Sequence, residues 1–144
     1  MNPIRKIKYI VIHCTATQPT ATVESIKRYW KDVKKWGDTP GYHYLIKADG
    51  EILTLLDESK NSYGVYAHNS ECISISYIGG IDNLGKPKDT RTVKQQVTMF
   101  SKISELLHKY PNAKVLGHRD FPDVHKACPS FDVKTWLSHY QLMF

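Results

Sequence analysis

No stretch of this sequence is apolar for long enough to cross a bilayer, which takes roughly 20 consecutive residues. A membrane role is therefore not expected, and the chain reads as soluble. The basic start MNPIRKIKYIVIH contains only YIVI as an apolar run, short of the roughly 7–15 residues of a secretory signal. The expectation is a protein made in the cytoplasm without a signal peptide. Cysteine is scarce and unpatterned: Cys14, Cys72 and Cys128 form no CxxC pair and cannot all pair within the chain. That argues against a disulfide scaffold and for a reducing compartment. Repeats, linkers and low-complexity tracts are also missing. With 144 residues, 41% of them hydrophobic, this leaves one globular domain, residues 1–144, large enough for a real core. Acidic residues are outnumbered, 14 against 20 Lys and Arg, for a formal charge of +6. Such a surface suits nucleic acid, an anionic cell-wall polymer or an acidic protein. Neither a finger-type spacing nor a basic-aromatic cluster supports nucleic acid, and none is expected.

What is present alternates between two periodicities. IKYIVIH is short, apolar and β-branched, as a buried strand should be, and delivers His13 at its C-terminal end. Val23, Ile26, Trp30 and Val33 then recur at helical spacing between Thr22, a candidate N-cap, and Gly37, which predicts an amphipathic helix from about Thr22 to Trp36. GYHYLIK and EILTLLD flank Asp49-Gly50, a hairpin signal, and ECISISYIGG reads as another strand. Val93, Val97, Phe100, Ile103, Leu107 and Tyr110 mark a second helix. AKVLGH is a short strand ending in His118, and Asp132 is placed to cap a last helix carrying Val133, Trp136, Leu137 and Tyr140. Interleaved strands and helices predict an α/β fold: a single domain with a central mixed β-sheet flanked by helices. Ligands of open α/β sheets collect beyond the carboxyl ends of strands, where His13 and His118 both sit.

Imidazole and thiolate are good zinc ligands, and a catalytic zinc site typically uses three protein ligands and keeps a fourth position for water. His13, His118 and Cys128 form such a set, although their spacing matches no compact zinc finger and single histidines are more often structural. His125 competes with His118 for the role and ranks second. Cys14 adjoins His13, but neighbouring strand side chains face opposite ways, so Cys14 is expected to be a small buried hydrophobe, as is Cys72. Lys126 stands two residues before Cys128, near any metal there, although an ordinary surface lysine would read the same. Tyr42 and Tyr44 are expected to share one strand face with His43 on the other, and core packing is the default role for such tyrosines.

VIHCTAT, GYHYLIK, HNSECISISYIGGID, the GHRD stretch and HKACPSFD, in this order, resemble the type 2 N-acetylmuramoyl-L-alanine amidases, a family related to the peptidoglycan recognition proteins. Within it, the chain is similar to short phage endolysins that are called lysozymes but cut an amide. The resemblance spans residues 8 to 138, nearly the whole chain. It implies a zinc cleft on one face of the sheet, His13, His118 and Cys128 as ligands of one Zn²⁺ ion, and Tyr42 and Lys126 as catalytic residues beside it. The implied activity is zinc-dependent hydrolysis of the amide between N-acetylmuramic acid and L-alanine, degrading the bacterial cell wall after the enzyme's release. In one departure, Ser62-Tyr63 occupies the place of the family's His-Ala pair, which is associated with substrate contact. His68 and Asn69 are the expected substrate-binding residues bordering the groove in its stead. The expected partner is peptidoglycan, and the expected state a monomer. Some phage relatives also bind the RNA polymerase that transcribes phage genes, a partner on which these residues are silent. The alternative from another class is a non-catalytic peptidoglycan-binding module. Relatives of that kind commonly lack the zinc cysteine, so Cys128, Tyr42 and Lys126 together favour the enzyme.

Overall fold

A computed structural model of the protein describes residues 5–140. The first four residues, part of the start weighed above as a signal, and the last four lie outside it. The elements follow the expected order. They are β1 (Tyr9–Cys14), α1 (Val23–Arg28), β2 (Tyr44–Ile46), β3 (Ile52–Thr54), β4 (Cys72–Tyr77), α2 (Val93–Lys109), β5 (Lys114–Gly117) and α3 (Val133–Ser138). The strands form one mixed sheet in the order β3-β2-β4-β1-β5. β1 runs parallel to β4 and β5, β2 runs parallel to β4, and only β3 is antiparallel, paired with β2 in a hairpin. Asp49-Gly50 makes that hairpin turn. Gly50 sits at φ +89°, and a Cβ there would come within 3.0 Å of the Lys94 side chain, so both the backbone twist and the packing of α2 require glycine.

One face of the sheet is closed by α2 and α3. Ile10 and Ile12 of β1, Tyr44 and Ile46 of β2, and Ile73, Ile75 and Tyr77 of β4 pack there against Met99, Ile103, Leu106, Val133 and Leu137. The other face carries Val11, Leu45 and Cys72 with the buried polar residues His13, Ser74 and Ser76. Part of it is covered by Ile26 of α1 and by Trp30 just beyond its end, and part by Val65 and Phe121.

Two helices depart from the expected pattern. The helix expected from Thr22 to Trp36 keeps its Thr22 cap, whose side chain accepts from the Ser25 N–H, but is α-helical only through Arg28. It then widens into a π-helical turn over Tyr29–Val33 and stops at Lys35, in the left-handed region at φ 61°. The wider turn rotates Val33 off the apolar stripe, so Val33 is 63% exposed while Trp30 stays buried. In α2 the buried stripe is Gln95, Met99, Ile103 and Leu106, not one that begins at Val93 and Val97, which are 76% and 64% exposed. The polar Gln95 holds the inward position because its amide donates to the Ile46 and Ile78 carbonyls, both at 3.2 Å, while its Oε1 accepts from the Thr92 N–H at 2.9 Å. A side chain that ends three backbone groups is worth burying.

Candidate active site and metal centre

The parallel register of β1 and β5 sets Ile12 opposite Gly117, so the next residues, His13 near the end of β1 and His118 just past β5, lie side by side with ring centroids 4.7 Å apart. β5 ends at Gly117, and His118 opens a short 3-10 turn. The loop carrying Cys128 is laced to the turn after β5 and to β4 and the segment that follows it, and the Cys14 N–H of β1 donates to the Cys128 sulfur at 3.3 Å. Arg119 N–H donates to Cys128 O (2.9 Å), Tyr77 hydroxyl to Pro129 O (2.6 Å) and Ser130 hydroxyl to Gly80 O (2.9 Å). One nitrogen of each imidazole and the Cys128 sulfur thus lie within 4.8 Å of one another, and this trio is the one candidate metal cluster among the described residues.

The electrostatics suit a cation. Burial, then the neighbouring His118, His43 and Lys126, holds the His13 pKa well below the usual histidine range. Burial, then Lys126, lowers that of His118 to about 4. Both rings are therefore neutral at physiological pH, with a lone pair free to bind metal. Contact with the Cys14 thiol, followed by burial, pushes the Cys128 thiol up. Such a thiol gives up its proton readily only when a cation takes its place. Two neutral imidazoles and one thiol, with no carboxylate, form the nitrogen and sulfur set that zinc prefers. The residues fit the metal that the motifs imply.

The trio opens into a cleft of about 520 Å³ that is also lined by Tyr42 and Lys126. Tyr42 lies tilted against His13 at 4.9 Å and edge-on against Trp30 at 5.5 Å, and its hydroxyl donates to Cys14 O at 3.2 Å. Burial, then the Cys128 and Cys14 thiols, drives its pKa upward, so the phenol keeps its proton. The expected sharing of one face by Tyr42 and Tyr44 is not met. β2 starts only at Tyr44, and Tyr42, ahead of it, turns to the same side as Leu45, while Tyr44 packs on the opposite face. A bend breaks the alternation that a continuous strand would have kept. His125 is exposed and outside the metal cluster. Cys14 and Cys72 are buried in apolar clusters, and burial raises the Cys72 pKa to about 12.

His68 and Asn69 are not among the residues that line the cleft. The His68 ring packs on Tyr9 and Phe121 and its Nδ1 pairs with Glu71 at 3.3 Å. Asn69 Oδ1 accepts from the Val65 N–H at 2.7 Å. Both side chains hold the loop before β4 in shape. Of the Ser62-Tyr63 pair, Ser62 is buried, whereas Tyr63 lies against Trp36 at 5.2 Å and forms part of the cleft wall. Tyr29, Lys34 and Trp36 line the same wall, with the Lys34 ammonium about 6 Å from the rings of Tyr29 and Trp36. These wall residues were not legible as a group, because the π-helical turn that aims Tyr29 and Lys34 has no periodic signature. A second hollow of about 510 Å³ on the outer side of α1 is lined by Lys27, Arg28, Asp32 and Asp38, among others, and holds none of the metal trio.

The match to known proteins is extensive. Residues 3–131 match the Amidase_2 family, described as N-acetylmuramoyl-L-alanine amidase. The chain belongs to this amidase family. The endolysin of Escherichia phage T7 is 35% identical over 135 residues, which cover 93% of this chain and 87% of that one. The amidase fold is also shared with the Ph2119 endolysin from the Thermus scotoductus MAT2119 bacteriophage, at a TM-score of 0.80 and 21% identity over 96% of this chain and 87% of the other. Bumblebee PGRP-SA has the same fold at a TM-score of 0.73 and 19% identity, covering 99% and 91% of the two chains.

Proposed function

We propose that the protein hydrolyses the amide between the lactyl group of N-acetylmuramic acid and L-alanine of the peptidoglycan stem, using one zinc ion held by His13, His118 and Cys128. The observation that carries this reading is the convergence of two neutral imidazoles and a thiol in a cleft that Tyr42 and Lys126 also line. Family membership and the T7 relative, an endolysin, support the same substrate. Zinc in such a site supplies a nucleophile at neutral pH and polarises the scissile carbonyl.

The chain's own residues do the rest. Lys126 brings a cation to the cleft, where its ammonium stabilises negative charge as it builds on the carbonyl oxygen. A fixed charge of this sort acts mainly on the transition state. The Tyr42 phenol, kept protonated, rests its single O–H on Cys14 O and turns it to the reacting groups when substrate enters, from a ring held against His13 and Trp30. The cleft lining includes Lys34 and Lys126 but no Asp or Glu, which suits a stem peptide bearing free carboxylates. Tyr29, Trp36 and Tyr63 give that peptide and its sugar an aromatic wall.

Purified protein incubated with isolated sacculi, with and without a chelator, tests the reading when the fragments are weighed by mass spectrometry. The expected products are stem peptides with free L-alanine amino groups, and the chelator abolishes their release. Fragments cut at another bond, or undiminished release in chelator, would reject it. Binding to sacculi without any release would assign the protein to the non-catalytic class instead.

A further inference from the structure

We infer that Ser74 is a positioning residue for the imidazole of His13, occupying its Nε2 so that Nδ1 is the atom turned to the metal. The inference rests on the zinc reading above. Ser74 Oγ lies 3.1 Å from His13 Nε2, and both residues are fully buried, at 0% and 1% exposure. A neutral imidazole carries its proton on one nitrogen and a lone pair on the other. When the lone pair goes to a metal, the proton sits on the far nitrogen and, once buried, needs an acceptor. Within this site the Ser74 hydroxyl is that acceptor.

Its place is fixed from three sides. Ser74 lies in the middle of β4, hydrogen-bonded in register beside β1. Its N–H donates to His43 Nδ1 at 3.1 Å, and His43 Nε2 in turn donates to Lys60 O at 2.8 Å, so the backbone under the hydroxyl is held by a second buried ring. Above it, Gly64 closes the space. A Cβ at Gly64 would fall 2.6 Å from Ser74 Oγ and 2.7 Å from Gly41 O, so the loop that presents Tyr63 to the cleft rests directly on this hydroxyl. Ser74 does not line the cleft and therefore acts on the chemistry only through His13.

The test reads the metal rather than turnover. In the zinc-loaded wild-type protein, a long-range ¹H–¹⁵N spectrum is expected to show His13 protonated at Nε2 and metal-bound through Nδ1. In a competition titration against a chromophoric chelator, Ser74→Ala is expected to weaken zinc binding roughly 10- to 100-fold, and Ser74→Thr, which keeps the hydroxyl, to restore most of it. Zinc on Nε2 in the wild type would overturn the inference even if Ser74→Ala failed to fold. So would wild-type affinity in Ser74→Ala, or equal losses in the Ala and Thr variants, which would assign the effect to packing. A wild-type chain that takes up no zinc would sink the metal reading as well, an outcome distinct from the other three.

Discussion

The two faces of the sheet are built on opposite principles, and β4 shows both within six residues. Ile73, Ile75 and Tyr77 face α2 and α3 in a mainly apolar layer, whereas Cys72, Ser74 and Ser76 face the cleft side, and all six are buried. On the sealed face each isoleucine is stabilised by leaving water, about 1.5–3 kcal/mol per fully buried side chain, with no demand on direction. On the cleft face the inward groups include His13, His43 and two serines. They are tolerated only because each finds a partner, at a net gain near 1 kcal/mol per bond. Among the described residues no buried side-chain nitrogen or oxygen lacks one. The apolar face supplies the stability that lets the polar face hold neutral rings and a protonated thiol ready for a cation. If this division is correct, changes on the cleft face should remove chemistry without unfolding the chain.

The strongest test removes the sulfur. Cys128→Ser replaces a soft ligand with a hard, weakly acidic hydroxyl, so zinc content measured by elemental analysis should fall to background. Amide hydrolysis should fall with it by roughly 1,000-fold or more, the several kcal/mol a metal supplies. Full activity in metal-free Cys128→Ser would erase the distinction between the faces, because the cleft would then need no metal. Lys126→Ala should come next. Lys126 is exposed and outside the metal trio, so zinc content should be unchanged while kcat drops roughly 100- to 1,000-fold, as when a single oxyanion donor is lost. Loss of zinc from that variant would show that the lysine holds the site together rather than acting in it.

Acid should weaken the cleft face selectively. His43 is fully buried, and burial, opposed in part by its bond to Lys60 O, lowers its pKa to about 4, against about 6.5 in an unfolded chain. Between those values the unfolded state binds the extra proton and the folded state does not. The contribution of His43 is therefore complete above about pH 6.5 and is lost as the pH falls toward 4, about 3 kcal/mol in all. Chelator-treated protein unfolded in urea at a series of pH values should show this decline, and His43→Asn should make it shallower. A variant with an unchanged slope would mean that the acid sensitivity lies elsewhere.

Most of the fold was legible because its signals are local. The β-branched run of β1, the Asp-Gly turn and the Thr22 and Asp132 caps each act within a few residues. The candidate metal trio was named by residue type and, more specifically, by the family resemblance. The parallel pairing of β1 with β5 brings its two histidines together, and the bonds of the Cys128 loop to Cys14, Tyr77 and Gly80 bring the thiol to them. What stayed hidden depends on contacts distant in sequence. Ser74 meets His13 across 61 positions, and the alternation in CISISY fits a half-solvated strand as well as one buried on both sides. The π-helical turn, the bend ahead of Tyr44 and the retirement of His68 and Asn69 into loop packing are likewise outcomes of tertiary fit. His68 and Asn69 were expected at the groove from their place in the chain, and their side chains pack against Tyr9, Phe121 and the Val65 backbone. The π-helical turn and the bend each overrode a periodicity that was read correctly as far as it went.

The smallest expected effect tests that last point at α2, which seals the apolar face. Periodicity alone assigns Val97 to the buried stripe, and a buried valine cut to alanine leaves a cavity and a marked loss of stability. In the structure Val97 is 64% exposed and Gln95 takes the inward place with its three hydrogen bonds. Val97→Ala should then change the unfolding free energy by no more than about 0.5 kcal/mol, as surface substitutions do, the better helix propensity of alanine offsetting any lost contact. Urea denaturation at neutral pH measures it, with the midpoint and slope compared separately. A loss above about 1 kcal/mol would place Val97 inside, rotate α2 on its axis, and turn Gln95 away from the Ile46 and Ile78 carbonyls. The apolar face would then owe its closure to the valine stripe rather than to a glutamine that ties the helix to the ends of β2 and β4.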